Sequence, residues 1–288
     1  MNGLKTALLL GLLSGVLLVG GQMLGGTNGL LIGLLMAVGM NFFSYFYSEK
    51  MALAMYHARP VTPAENGPIY ARIYPMTQSL TQRMGIPMPK LWVIPGATPN
   101  AFATGRNPEH SSVAVTEGLL AMMNDRELEG VIAHELGHVK NRDILISSIA
   151  ATMGAAITYL AYMGMFFGGR SDDDDEGGGG GMGALLMIFL APMAAGLIQM
   201  AVSRTREFSA DASAAKYTGS PDGLISALAK LEVGNHRYPM LQANEATAHM
   251  FIVHPFSGQG LAKLFSTHPP TEDRIAALQA LRNMTPVA

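Results

Sequence analysis

Four stretches of the sequence contain no charged residue, and they constrain what the chain can fold into more than any other feature. They cover residues 6–24, 29–47, 144–167 and 183–202. Because a helix of about 20 apolar residues crosses a bilayer core, each stretch is long enough to span a membrane. The stretches also explain why only 14% of the 288 residues are charged, since soluble domains contain about 25%. An ordinary soluble enzyme is therefore excluded.

Two of these stretches allow a second interpretation. The first stretch follows Lys5 and could be a signal peptide, but no Ala-x-Ala cleavage site follows it. A second apolar stretch comes almost at once, so we expect an uncleaved transmembrane hairpin within residues 1–47. The third stretch is diluted by serines and threonines, and its alternative is a helical hairpin buried against the soluble part.

Lysine and arginine residues predict the orientation in the membrane. The polar segment of residues 48–143 contains nine of them, and the segment of residues 203–288 contains eight. The loop of residues 169–182 contains only Arg170, followed by an acidic, glycine-rich run. Because positive charge is retained in the cytoplasm, both polar segments and both termini are predicted to be cytoplasmic. The acidic run is typical of a solvated connector; a divalent-cation site there is the alternative, although the run lacks a fixed turn pattern.

The two polar segments are predicted to form one domain, because each has fewer than about 100 residues and is marginal for a core of its own. Residues 89–96 and 110–118 are typical of short strands, and most of the remaining pattern is helical. The fold class predicted is a mainly α membrane protein. It has four transmembrane helices, in residues 1–47 and 144–202, and a cytoplasmic α+β domain with a small sheet.

One predicted helix carries the residues of a metal site. It begins near Asn124, which has capping-box spacing to Glu127. His134 and His138 follow at positions i and i+4, so both imidazoles lie on one helix face and can bind one metal ion. Glu135 can reach a metal-bound water without being a ligand itself. The alternative is that this pentapeptide occurs by chance. Its position after a helix-start signal argues against that.

A catalytic zinc site needs a third protein ligand, and the sequence contains no cysteine. This absence excludes thiolate zinc sites, iron–sulfur clusters, disulfides and a cysteine nucleophile. After the fourth apolar stretch, Glu207 and Asp211 have i, i+4 spacing. We interpret Glu207 as the third ligand and Asp211 as the acceptor that orients a ligand histidine. The alternative is a helix surface on which these carboxylates pair with Arg204 or Arg206.

Several motifs taken together resemble the HtpX family of bacterial membrane-bound zinc endopeptidases, which is related to the CAAX prenyl protease. The motifs are PNAFATG at residues 99–105, HELGH at 134–138, EFSAD at 207–211 and THPPT at 267–271. The resemblance extends over essentially the whole chain, in order. It implies a gluzincin fold and one zinc ion bound by His134, His138 and Glu207. It also implies that Glu135 is the catalytic base, and that the protein acts in quality control in the bacterial inner membrane.

The resemblance gives two further segments a meaning. Asn100, Ala101, Phe102 and Ala103 are expected to form a sheet edge that pairs with an extended substrate backbone; an ordinary loop is the alternative. His268 is expected to donate to the oxyanion of the transition state, although a lone histidine is more often a surface or satisfied core group. The expected partners are membrane-protein and unfolded polypeptide substrates and the lipid bilayer. With a net charge of −2, nothing indicates nucleic acid, and the sequence sets no oligomeric state.

The position of the ligands along the chain separates this interpretation from its rivals. His138 lies six residues before the third stretch and Glu207 five residues after the fourth. At 1.5 Å per residue, straight helices would place the zinc about 10 Å from the membrane surface. An intramembrane protease would carry the motif within an apolar span, whereas charged residues surround it here. A transporter would need ionisable groups in its spans, and these spans have none.

Overall fold

The structure is a computed structural model that describes residues 2–146, 149, 204–237, 252 and 269–284. The predicted fourth span, the loop of residues 169–182, His268 and most of the predicted third span lie outside the described residues. In chain order the elements are α1 (Asn2–Met55), β1 (Arg59–Pro60), α2 (Gly67–Met84), β2 (Lys90–Ile94), β3 (Ala101–Asn107), β4 (His110–Thr116), α3 (Glu117–Met122), α4 (Asp125–Lys140), α5 (Arg204–Thr218), α6 (Asp222–Arg237) and α7 (Thr271–Met284).

Helix α1 folds back on itself although its helical hydrogen bonding is continuous. The Asn41 amide donates to Ser14 Oγ at 2.9 Å, whereas 27 residues of straight helix would separate the two residues by about 40 Å. Gly26 has φ of 57°, a left-handed conformation that glycine adopts without steric cost, and it lies close to the midpoint between the two. The chain therefore reverses near Gly26, and the two halves of α1 run antiparallel.

The second half of α1 is suited to a bilayer. Among the described residues, Gly26–Phe43 is the one stretch long and apolar enough to cross a membrane, with a mean hydropathy of 1.4. Large apolar side chains point outward along it, including Leu35, which is 66% exposed. The other three predicted spans stay predictions.

A small mixed sheet lies beside the end of α1. Its strand order is β1-β2-β4-β3, with β2 and β4 parallel and β3 and β4 antiparallel. Strands β2 and β4 are the two strands that the sequence predicts. One face of the sheet packs on the main core. The other face, which includes Phe102 and Ala114, packs on Leu53 of α1 and on Tyr56 in the turn after it. Strand β3 forms one edge of the sheet as the described residues define it.

Helix α4 lies at the centre of the main core. The predicted capping box is present: Glu127 N donates to Asn124 Oδ1 and Asn124 N donates to Glu127 Oε2, at 3.0 and 2.9 Å. Glycines allow α5 and α6 to approach α4 closely. A Cβ atom at Gly130 would lie 2.7 Å from Leu224 N, and one at Gly137 would lie 3.1 Å from Ala210 Cα. Both polar segments of the chain thus contribute to one core, and the prediction of a mainly helical fold with a small sheet is confirmed.

Candidate metal centre

Three side chains converge where α4 packs against α5. His134 Nε2 lies 3.2 Å from His138 Nε2. Glu207 reaches them from the neighbouring helix, with Oε2 3.6 Å from His134 Nε2 and Oε1 3.5 Å from His138 Nε2. The helical i, i+4 spacing places both imidazoles on one face, and the close approach at Gly137 lets α5 bring the carboxylate to that face. The structure therefore brings together the three ligands that the sequence predicts.

The spacing of these three groups fits one metal ion. One potential ligand atom from each residue lies within 4.8 Å of the others. In a tetrahedral site with bonds of about 2.0–2.1 Å, neighbouring ligand atoms are about 3.4 Å apart, close to the three distances observed. Two imidazoles and a carboxylate are also a donor set that divalent transition metals accept. The residues present thus fit a metal without rearrangement.

A carboxylate orients each ligand histidine through its other ring nitrogen. Asp211 Oδ1 lies 2.9 Å from His134 Nδ1, and Asp143 Oδ2 lies 3.3 Å from His138 Nδ1. Such partners fix the tautomer and leave Nε2 for the metal. Asp211 was predicted for this position, whereas sequence reasoning missed Asp143. Asp143 reaches His138 through the turn after α4, where Arg142 has φ of 59° and Asp143 N donates to His138 O at 2.9 Å.

Arg274 of α7 is the second residue that sequence reasoning missed. Its guanidinium donates to both oxygens of Asp211, at 2.9 and 2.7 Å, and to Ile252 O at 2.7 Å. It also lies 3.7 Å from Glu207 Oε2. The side chain is only 1% exposed, so this arginine is part of the interior of the site. The one sequence feature that could have indicated Arg274 is its position in the first helical turn after the THPPT motif.

The buried charges shift the pKa values of the site. Burial and the nearby Arg274 lower the pKa of His134, but hydrogen bonds to Asp211 and Glu207 outweigh them and raise it to about 9. Burial favours the neutral form of Asp211, yet the charge and hydrogen bonds of Arg274 hold the pKa of this carboxyl below its usual value. Burial raises the pKa of Glu135, as suits a group that must accept and return a proton.

Glu135 lies between the metal ligands and the sheet edge. It is 5% exposed, and its Oε2 accepts a hydrogen bond of 2.8 Å from Ala103 N. On the helix it follows His134 directly, so its side chain points away from the face that carries the two imidazoles, toward β3. A carboxylate thus lies beside both the metal ligands and a strand edge that can hold a peptide.

The segment predicted to bind substrate is divided between three environments. The side chains of Ala101 and Ala103 pack on the core that includes α4, on the same side of the sheet as the metal ligands. Phe102 faces the opposite side, is 3% exposed and packs against the Tyr56 ring; its side chain therefore does not lie at the site. Asn100 Oδ1 accepts from Ile252 N at 3.1 Å, so this amide holds a neighbouring segment. The substrate-binding role stays a prediction for the backbone of β3, as does the role of His268.

Comparison with known proteins agrees with this geometry. The profile of Peptidase family M48 matches residues 70–282. A protease HtpX homolog of Desulfatibacillum aliphaticivorans is 54% identical over 284 residues, which are 98% of this chain and 90% of the relative. A protease HtpX homolog of Syntrophotalea carbinolica is 50% identical over 291 residues, 99% of each chain.

A solved structure shows the same fold. The crystal structure of S. mikatae Ste24p aligns with a TM-score of 0.51 at 21% identity. The alignment covers 93% of this chain and 62% of Ste24p. Taken with the buried histidine–histidine–glutamate cluster, these matches show that the chain belongs to peptidase family M48, among its HtpX-type members, and is a membrane metallopeptidase.

Proposed function

We propose that the chain is a zinc-dependent endopeptidase of the bacterial inner membrane. It cleaves misfolded or damaged membrane proteins at segments exposed to the cytoplasm and so acts in protein quality control. One observation carries the proposal: the buried cluster of His134, His138 and Glu207 lies beside Glu135, which in turn contacts the edge of a sheet. Three metal ligands beside a carboxylate base are the groups that peptide hydrolysis by a zinc-activated water requires.

The chemistry follows from the positions of these groups. Bound by His134, His138 and Glu207, zinc would supply Lewis acidity that polarises the substrate carbonyl and acidifies water. Glu135 takes the proton of the attacking water at its carboxylate and returns it to the departing amide nitrogen. The raised pKa that burial gives Glu135 suits both transfers. We assign the donor to the oxyanion to His268, from its motif.

The backbone of β3 is the element best placed to hold the peptide. In an antiparallel pair the backbone groups of alternate residues bond to the neighbouring strand. Thr116 N donates to Asn100 O, so Phe102 and Thr104 bond to β4 and the backbone groups of Ala101 and Ala103 point the other way. An extended peptide can add to such an edge, and because Ala103 N donates to Glu135, a peptide added there would lie beside this carboxylate.

The proposed location rests on α1 and on the charges. The second half of α1 has outward apolar side chains, and the excess of lysine and arginine in both polar segments supports a cytoplasmic location of the site. Helix α4 itself is surrounded by the protein core and by charged residues such as Arg126 and Glu129. These surroundings favour cleavage beside the membrane over cleavage within it.

The test is proteolysis by the full chain purified in detergent. We expect it to contain one zinc ion per chain and to cleave an unfolded protein. Glu135→Gln keeps the zinc and loses cleavage by at least about 100-fold, since it removes the general base. Glu129→Gln is the matched control on the same helix, because this carboxylate forms an ion pair of 2.8 Å with Arg83, where both side chains are partly exposed. If Glu135→Gln cleaved at the rate of Glu129→Gln, the assignment would be wrong.

A further inference from the structure

The last part of α1 and strand β3 lie side by side and run in opposite directions. The Arg106 guanidinium lies 5.4 Å above the Phe46 ring, and the Phe102 and Tyr56 ring centroids are 5.6 Å apart. From Phe46 to the end of α1 at Met55 the helix rises about 14 Å, Tyr56 follows in the next turn, and four residues of strand extend about 13 Å. Because the two lengths nearly match, β3 follows the axis of α1 rather than crossing it.

A third contact lies between these two. Ser112 Oγ donates to Glu49 Oε1 at 2.7 Å, and Ser112 is opposite Thr104 in the register of β3 and β4. The path from Phe46 through Glu49 in α1 to Tyr56, in the turn after the helix, therefore runs antiparallel to β3 from Arg106 to Phe102. The alignment holds over the length of the strand.

The two ends of β3 differ in their surroundings. The most apolar 18 residues of α1, Gly26–Phe43, are followed by the aromatic residues 45–47, which are typical of a membrane interface. With α1 spanning a bilayer, the contact with Phe46 would place Arg106 at the level of the interface. At the other end, Ala103 N donates to Glu135. Three residues separate Ala103 from Arg106, which is a distance of about 10 Å along a strand.

We propose that β3 acts as a ruler between the membrane interface and the catalytic carboxylate. The inference rests on the proposed function and narrows its substrate class. The substrate is an extended segment that leaves the bilayer and adds to the edge of β3. The bond cleaved lies about three to five residues beyond the end of the substrate's own membrane span. Bonds closer to that span do not reach Glu135.

Cleavage of a graded substrate tests the ruler. A single-span protein with a uniform, unstructured cytoplasmic tail is placed with the full chain in the same lipid vesicles, and the cut bonds are mapped by mass spectrometry. We expect the first cuts three to five residues after the span. Bonds within two residues of the span should be cut at least about 100-fold more slowly, because a misplacement of even 1 Å can cost that factor.

The same tail as a free peptide separates this inference from the proposed function. We expect the free peptide to be cut along its whole length. If the membrane-bound tail were also cut up to the span, or were not cut at all while the free peptide was, the ruler would be refuted and the protease would stand. If neither were cut by the wild type, as with Glu135→Gln, the proposed function itself would fail.

A measurement of depth tests the geometry without any proteolysis. The chain has no cysteine, so a fluorophore can be attached to a single new one, either at Ala97→Cys before β3 or at Glu109→Cys after it. Both positions are exposed. Lipids with a quencher at the headgroup should quench the label at position 109 several-fold more strongly than the label at 97. Equal quenching at both positions would refute the alignment of β3 with the membrane normal.

Discussion

Replacement of Arg274 by methionine is the sharpest test of how the site is stabilised. Arg274→Met keeps most of the apolar volume and leaves Asp211 buried without the guanidinium that donates to both of its oxygens. Breaking a buried ion pair from one side costs about 3–5 kcal/mol. Asp211 keeps one partner, because His134 Nδ1 lies 2.9 Å from it, which favours the lower end of this range. The carbonyl of Ile252 loses its donor as well, and an unsatisfied buried acceptor costs about 1–3 kcal/mol. We expect a net loss of about 3–5 kcal/mol in the free energy of unfolding.

The assay uses the single tryptophan of the chain. Trp92 lies in β2 and donates to Ser112 Oγ at 3.0 Å, so its fluorescence reports unfolding of the sheet during urea denaturation in detergent. A chelator is present throughout, which removes the contribution of metal binding. Arg282→Met is the matched control on the same helix, because its ion pair with Asp222 is more than half exposed and is worth about 0–1 kcal/mol.

A double variant distinguishes the charge effect from a packing effect. Asp211→Asn removes the negative charge that Arg274→Met leaves without its guanidinium, while the amide oxygen of the asparagine still accepts from His134. Added to Arg274→Met, it should restore about 1–3 kcal/mol, the range of coupling between contacting groups. The reasoning would be refuted if Arg274→Met were no more destabilising than Arg282→Met, or if the double variant were as unstable as the sum of the two single ones.

Four further predictions concern the ligands and the helix packing. Asp143→Asn should weaken zinc binding by about 10–100-fold, measured by competition with a chelator. The control Asp125→Asn, at an exposed position, should leave zinc affinity unchanged. Equal zinc affinities of the two variants would contradict an orienting role of Asp143. The pKa of His134 is raised from 6.5 to about 9, so at pH 7 a metal ion must displace the proton of this histidine. Calorimetric titration with zinc at pH 7, repeated in buffers of different ionisation heat, should show the release of about one proton. For the same reason, this histidine contributes stability to the metal-free protein that is complete below pH 6.5 and lost as the pH rises through about 9; the opposite pH trend would refute the assignment. Gly130→Ala places a Cβ 2.7 Å from Leu224 N and should cost about 1–3 kcal/mol, while Gly67→Ala, with open space around it, should not lower the melting temperature.

Local patterns predicted most of the candidate site. The pair His134 and His138, and the pair Glu207 and Asp211, follow from helical spacing alone, because residues four apart share a face. The need of zinc for a third ligand then joins the two pairs, although they are far apart in the sequence. The capping box at Asn124 fixed the start of the helix for the same local reason.

The residues that were missed depend on contacts that local patterns do not encode. The Asp143 side chain reaches His138 only because Arg142 adopts a left-handed conformation. Sequence patterns do not predict this conformation for an arginine. Arg274 meets Asp211 across 63 positions of the chain, and its burial depends on the packing of α7. Strand β3 is rich in alanine and carries a bulge after Gly105, so its composition gives little strand signal and only the family motif indicated it. The register of β3 decides on which side of the sheet the Phe102 side chain lies, and the family motif does not determine this register. Phe102 was placed at the site for that reason.

The charges of the site explain why metal and protein depend on each other. Four buried carboxyl groups lie together at the site, those of Asp143, Asp211, Glu207 and Glu135. Among the described residues two arginines offset part of this charge: Arg274, which is fully buried, and the partly buried Arg206, which interacts with Asp143 and Glu207. Without metal, the remaining imbalance is reduced in two ways that the pKa values show: His134 is protonated, with a pKa of about 9, and the pKa of Glu135 is raised by burial. A divalent cation bound by His134, His138 and Glu207 would take the place of the proton on His134 and would lower the pKa of the neighbouring Glu135. It would thus offset the buried negative charge and favour the ionised form of Glu135, which accepts a proton from water, by the same electrostatic effect.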